Sequence, residues 1–441
     1  MDRICDPFAY GDGPLDTCFW SETVSGKPSP ALDQDIKADI AIIGAGFTGL
    51  SAAIRLAEAG RKVVVLEAKQ PGWGASGRNG GFCCLGGSKL PDAALKRKFG
   101  ASEAHEYRLV ERDAVNLVDE MITSRGIDVD RHSDGETILA HRPKDFAELE
   151  GEVSQLSQLY GVEPVLHSQP DLVREGMAGG FHGGLTIPIG FALNPKKYVL
   201  ALADAAQKAG ATIFGDSAVT KVRSAPTGYV LDTDAGSVQC QKLIIATNGY
   251  SSEDLPNWMG GRFIPAQSSV LVTRPLSLEE RESQGWTSHQ MAYDTRNLLH
   301  YFRLMPDGRF LFGMRGGLAT NEPVHHRIRR EIRRDFERMF PAWAHVDTPH
   351  YWSGFVCFNS NLTPFAGRVP EHPDMYAAFA YHGNGVAMGS YCGTVVADQI
   401  LGRETLRHPQ ALQTPPKRFP GGRWRRAGMW PAYLGYKLID L

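Results

Sequence analysis

Between Ala38 and Ala68 the chain reads ADIAIIGAGFTGLSAAIRLAEAGRKVVVLEA: an apolar run, a glycine turn, a helical stretch and a second apolar run. Both runs are apolar almost throughout, as strands covered on both faces of a parallel sheet require. The turn itself, Gly44-Ala45-Gly46-Phe47-Thr48-Gly49, has GxGxxG spacing, and the second strand ends at Glu67, 21 residues after Gly46. A plain strand-to-helix turn can carry the same glycines. The flanking strand and helix and the acidic residue favour a dinucleotide site instead. There the first glycine makes the turn, the second lets a pyrophosphate approach the helix N-terminus, and the carboxylate accepts from a ribose hydroxyl. An acidic residue at that place disfavours a 2′-phosphate, so NADP is unsuited while FAD and NAD stay open.

A second unusual stretch follows directly, where a helix would ordinarily continue an NAD fold. GWGASGRNGGFCCLGG, residues 72–87, has seven glycines in sixteen positions. Trp, Phe and Arg set it apart from a flexible linker, and its glycines would let backbone approach a large flat ligand. Cys83 and Cys84 are adjacent, and because a vicinal disulfide is strained they are expected to be packing residues.

The chain has 441 residues, enough for two domains or a large core with a second lobe. Lys plus Arg is 47 and Asp plus Glu is 49, a net charge of −2, which gives no general attraction to nucleic acid or anionic membrane. The expected partner is a small molecule. Seven cysteines without CxxC spacing fit a reducing compartment better than a disulfide framework or a metal site. The first residues lack the apolar core of a signal peptide, and the most apolar stretch is interrupted by Arg55 and Glu58. A cytoplasmic protein without metal is the expectation.

Residues 1–37 read as an arm that wraps rather than folds by itself. Helical patterns follow over 91–126 and 148–160, and after Pro195, with three strand-like runs from Thr212 to Gly249. Alternating apolar segments from Ile264 to Gly317 read as an antiparallel sheet, and MYAAFAYHGNGVAMGSYCGTVVADQILG as strand, glycine turn and helix. The expected class is α/β: a discontinuous Rossmann-like lobe over 38–90, 191–255 and 350–405, and an α+β lobe over 91–190 and 256–349. Residues 406–441 form a basic, aromatic tail.

Four segments in this order, IIGAGFTGLSAAIRLAEAG with VVVLEA, GWGASGRNGG, KLIIATNGYSS and YHGNGVAMGSYCGTVVADQILG, span about 38–402. In them the chain resembles the D-amino-acid oxidase-like family of FAD-dependent oxidoreductases, which includes sarcosine, glycine and γ-glutamylputrescine oxidases. The resemblance implies FAD held by Gly44, Ala45, Gly46, Phe47, Thr48 and Gly49, by Glu67, Ala68 and Lys69, and by the loop Gly74, Ala75, Ser76, Gly77, Arg78, Asn79, Gly80 and Gly81. It adds Val219 near the adenine, Ala246, Thr247, Asn248 and Gly249, and the turn Gly383, Asn384, Gly385, Val386 and Ala387. That last turn would aim a helix N-terminus at the flavin and stabilise its anionic reduced form.

Departures from the family pattern carry information. Some members attach FAD through a histidine at the position matching Gly74, and others through a cysteine that Cys357 misses by three residues, so non-covalent FAD is expected. Amino-acid oxidases of the family hold the substrate carboxylate with an arginine four residues after a tryptophan. Here Trp352 is followed at that distance by Val356, and a lysine of sarcosine oxidases corresponds to Ala387.

The resemblance therefore implies oxidation of a primary or secondary amine by hydride transfer to flavin N5, with O2 or another electron acceptor. A distal acidic group would be reached by Arg303, Arg315 or Arg78. Tyr301, eight residues before Arg309, fits a substrate-facing tyrosine. By strand alternation Arg303 shares its face, and His382 is a third candidate catalytic group. The alternatives are an α-amino-acid oxidase and, from Arg418, Arg423, Arg425 and Arg426 interleaved with Phe419, Trp424 and Trp430, an RNA- or membrane-associated flavoprotein. Nucleic acid and membrane are the less favoured partners, and the oligomeric state is open.

Overall fold

The computed structural model describes residues 1–440, apart from the side chains at 423 and 432. Two eight-stranded sheets organise it. In the first, strand Ile36–Ile43 lies between Val63–Leu66 and Ser237–Ile245, parallel to both. Met375–Phe379 extends the parallel order beyond Ser237–Ile245, and Thr212–Phe214 extends it beyond Val63–Leu66. Val63–Leu66, Met375–Phe379 and the last four residues of Ile36–Ile43 are buried throughout, as apolar strands covered on both faces require.

One face of this sheet carries helix Phe47–Glu58, covered in turn by helix Ala387–Leu401. Twelve consecutive residues of the latter, Ala387 to Asp398, are buried. The two helices approach so closely that a Cβ on Gly393 would lie 2.1 Å from the Thr48 carbonyl oxygen. A half-buried ion pair joins them, with Arg55 Nε donating to Asp398 Oδ1 at 2.7 Å.

The second sheet runs in the order His350–Phe358, Ile264–Val272, Phe310–Arg315, His300–Leu304, Met291–Asp294, Glu136–Leu139, Gly183–Ile187, Val165–Ser168. Its pairs are antiparallel except for Met291–Asp294 with Glu136–Leu139. The expected division of the chain is corrected at one boundary. Strand His350–Phe358, assigned from sequence to the nucleotide-binding lobe, pairs along its whole length with Ile264–Val272 in the second sheet. Side chains alternate across this sheet. Phe302, Phe310 and Phe312 face helix Glu322–Met339 and close a core with Phe336, Phe340 and Trp343. The opposite face looks toward the first sheet.

The helical pattern expected over 91–126 is divided at Gly100 into Asp92–Phe99 and Ala101–Arg125. The helix expected from 148 starts earlier, at Pro143, whose ring suits a first helical turn. The N-terminal arm does wrap, burying Cys18, Phe19 and Trp20 against Trp352 and Leu311. In the tail, Arg425 is 4% exposed and donates to both Glu253 carboxylate oxygens and to the Phe263 carbonyl. Arg426 bonds the Leu318 carbonyl, and the side chain of Arg423 lies outside the described residues. No helix among the described residues is long and apolar enough to cross a membrane.

Candidate active site

A cleft opens at the C-terminal ends of the parallel strands, where open α/β sheets place their ligands. Gly44, Ala45, Gly46, Phe47 and Thr48 form one wall, with Glu67, Ala68 and Val219 beside them. Gly44 has φ +107°, and a Cβ there would sit 2.8 Å from the Ala246 carbonyl oxygen, so the turn depends on glycine. Glu67 turns inward: Oε2 accepts from the Ala45 amide at 2.8 Å and Oε1 from the Lys69 amide at 3.1 Å. Burial raises the pKa of this carboxyl, and the backbone amides oppose the shift.

Helix Phe47–Glu58 begins at the cleft, and the Ser76 hydroxyl accepts from the Phe47 amide at 2.9 Å. Gly74, Ala75 and Asn79 continue the wall, and Ala246, Thr247, Asn248, Gly383 and Gly385 complete the far side.

A second cavity of about 260 Å³ adjoins the cleft, sharing Ala75, Asn79, Val356, His382, Gly383 and Gly385 with it. Arg78, Gly80, Asn384 and Val386 border this cavity rather than the cleft. Its other wall is the free face of the second sheet. Register puts Ser268 opposite Arg315, Tyr301 opposite both Gly313 and Tyr293, and Glu136 opposite Met291. The Tyr301 and Ser268 hydroxyls lie 3.0 Å apart.

Several expected residues line neither space. Gly49, Gly77 and Gly81 face backbone carbonyls, each 2.0 Å from where a Cβ would sit, and so shape the turns behind the cleft. Gly249 packs on Phe355, and Ala387 lies buried in the first turn of its helix. Lys69 reaches outward to Asp12.

Arg303 is a correction of substance. It shares the face of Tyr301 but lies under the arm and the glycine loop, 0% exposed. Its Nη1 and Nη2 donate to the Gly81 and Leu193 carbonyls at 3.0 and 2.8 Å, between the rings of Trp20 and Phe82. It fixes the loop and does not reach the cavity, and burial lowers its pKa to about 9. Arg78 is engaged in the same way, with Nε and Nη2 on the Trp73 carbonyl, Nη1 on the Ser353 carbonyl, and the guanidinium against the Trp73 ring.

His382 lines both spaces, but its Nδ1 bonds the Gly87 carbonyl at 2.8 Å and its Nε2 faces the Asn359 amide at 3.5 Å. Burial lowers its pKa to about 3. Both ring nitrogens are thus directed at backbone, one of them over a long contact.

Arg315 is different. It borders the second cavity, and its side chain makes no hydrogen bond or ion pair with any described residue. Lys89, on the same cavity, has its pKa lowered to about 7, first by the Arg315 charge and then by burial. Two groups were missed from sequence: Lys89, and Glu136, which is 1% exposed with Oε2 unpartnered. A carboxylate inside the strand-like run GETILA was the available signal for the latter.

Comparison with known proteins agrees with this architecture. The family model described as FAD dependent oxidoreductase (DAO) matches residues 39–399. The chain belongs to that family. Similar proteins include the "Probable oxidoreductase OrdL" of Haemophilus influenzae, 31% identical over 88% of each chain. The gamma-glutamylputrescine oxidoreductase of Escherichia coli is 29% identical over 94% of this chain and 95% of its own. Among solved structures, glycine oxidase from Geobacillus kaustophilus superposes with a TM-score of 0.70 at 19% identity, covering 87% of this chain and all 100% of its own. That likeness concerns the fold.

FAD is the cofactor of the family, and the residues present fit it. Glycine backbone, a helix start and an inward carboxylate at one end suit an adenosine diphosphate. At the other end the cleft continues past the Gly383 turn, where Asn384, 7% exposed, leaves Oδ1 without a partner.

Proposed function

We propose that the protein oxidises the C–N bond of a primary or secondary amine carrying a distal acidic group. The products are an imine, which water converts to an aldehyde and ammonia or a smaller amine, and the reduced cofactor. When bound, FAD supplies the hydride acceptor at N5. In this reading Gly44 to Thr48, Glu67 and Val219 hold its adenosine half. Gly74, Ala75, Ser76, Asn79, Ala246 to Asn248 and Gly383 to Gly385 hold the diphosphate and ring.

One observation carries the substrate class: Val356 matches the position of the family's carboxylate-binding arginine, while Arg315 stands unpaired two strands away on the same sheet. The cation is thereby displaced along the sheet from the family's position, in keeping with an anion set further along the substrate. Tyr301 positions the substrate against the sheet. Phe82, Leu85, Val270, Leu299 and Val356 make the wall apolar, which lowers the pKa of an entering ammonium and favours the neutral amine from which hydride can leave.

The relative named as a gamma-glutamylputrescine oxidoreductase supports an amine over an amino acid. O2 is the proposed acceptor. Seven free cysteines, six of them buried, are in keeping with a reducing cytoplasm. The deciding assay is a peroxide-coupled screen of the FAD-loaded protein, comparing acid-bearing amines with D-amino acids, glycine and sarcosine. Faster turnover of the α-amino acids would sink the proposal.

A further inference from the structure

Glu136 is the least explained residue of the second cavity. It stands on the inner face of its strand at a position 1% exposed. Its Oε1 accepts from the Leu85 amide at 3.3 Å, while Oε2 has no hydrogen-bond partner. The Tyr293 hydroxyl and Cys84 thiol lie alongside, and no lysine or arginine pairs with it among the described residues. A carboxyl withdrawn from water without a counter-charge is costly in its ionised form, and an arriving cation removes that cost.

We propose that Glu136 receives a cationic nitrogen of the substrate, one other than the nitrogen that is oxidised. The inference rests on the reading of this cavity as the substrate site. The reacting nitrogen has to be neutral to release hydride, whereas a carboxylate holds a nearby nitrogen in its charged form. Glu136 therefore suits a bystander cation. Arg315 stands on the other side of Tyr293 and Cys84, on which both charges act. The two residues lie on strands three apart in the sheet, which puts about 14 Å between those strands. The substrate is then an amine with a second, non-reacting ammonium at the Glu136 end and its acidic group toward Arg315. Burial raises the Glu136 pKa to about 8, which keeps the empty site mostly neutral near pH 7 until a cation enters.

The test uses FAD-loaded protein and primary amines of equal chain length that end in an ammonium, a methyl or a carboxylate group. The wild-type protein is expected to favour the ammonium-ended amine over the methyl-ended one by about ten- to hundredfold in kcat/KM. Glu136→Gln should erase that preference. No preference in the wild type, or an unchanged preference in the variant, overturns the inference. If no amine is oxidised, the proposed function fails separately, and the same series is titrated by its perturbation of the bound flavin's absorbance. A Glu136-dependent affinity for the ammonium end then supports the inference, and equal affinities refute it. Should Glu136→Gln fail to retain FAD, the wild-type comparison alone decides.

Discussion

The ring of Tyr301 lies over Gly313 on the neighbouring strand, so close that a Cβ on Gly313 would fall 2.0 Å from Tyr301 Cζ. The missing side chain is what lets the tyrosine lie flat on the sheet and border the cavity. Gly313→Ala should lift the ring. Overpacking costs about 1–3 kcal/mol of stability, and kcat/KM should fall about tenfold or more, the displacement of a positioning group being felt at the reacting atoms. Steady-state kinetics beside a melting curve measure both. Unchanged kinetics would exclude Tyr301 from the site.

Removing Arg303 should damage the fold before the chemistry. Arg303→Met takes charged donors from the Gly81 and Leu193 carbonyls, a loss of about 3 kcal/mol. It also frees the loop that borders the cleft. The expected result is a lower denaturation midpoint together with reduced FAD content, and a raised KM at full stability would contradict it.

Arg315→Gln should have the opposite signature. With no partner in the fold to lose, stability should hold or rise. KM for acid-bearing amines should increase about ten- to hundredfold, as expected for a lost charged hydrogen bond. Amines without an acidic group should be nearly unaffected.

Anion binding should weaken as pH rises. The Lys89 pKa lies at about 7, and its charge is lost above that value. Glu136, with a pKa near 8, then adds negative charge at higher pH, which acts in the same direction. A simple carboxylate inhibitor, ionised throughout, should bind several-fold more tightly at pH 6 than at pH 9. Lys89→Met should remove the lower step and keep the upper one. Inhibitor affinity that is flat in pH would exclude both groups from the cavity.

FAD should leave the protein on denaturation. Gly74 offers no attacking atom. The Cys357 thiol borders the cleft but is 1% exposed, and burial holds its pKa well above the ordinary thiol range. Acid precipitation should leave all flavin absorbance in the supernatant. Protein mass increased by one FAD would show attachment.

The strand, turn and helix at Gly44 were legible because the spacing of glycines and the carboxylate follows from contact with a ligand and needs no distant residue. Tyr301 was legible for a related reason, since strand alternation gives its face. The same rule misled for Arg303. Period two fixes the side of a sheet and not which segment later covers it, and here Trp20 from the arm and the Gly81 loop come from far away in the chain. Strand His350–Phe358 was misassigned because its partner Ile264–Val272 is nearly ninety residues earlier, with no local sign of the pairing. Lys89 and Glu136 belong to no motif. Their meaning arises only when a loop and a strand meet across a cavity.

Arg315 makes no hydrogen bond or ion pair with a described residue and, among these residues, Glu136 accepts only from the Leu85 amide, while the Gly44 turn and the Gly393 helix contact leave almost no room for change. Selection can therefore act on the two charged positions without a compensating change elsewhere. A descendant of this chain could move from one charged amine to another in very few substitutions, keeping its cofactor half intact.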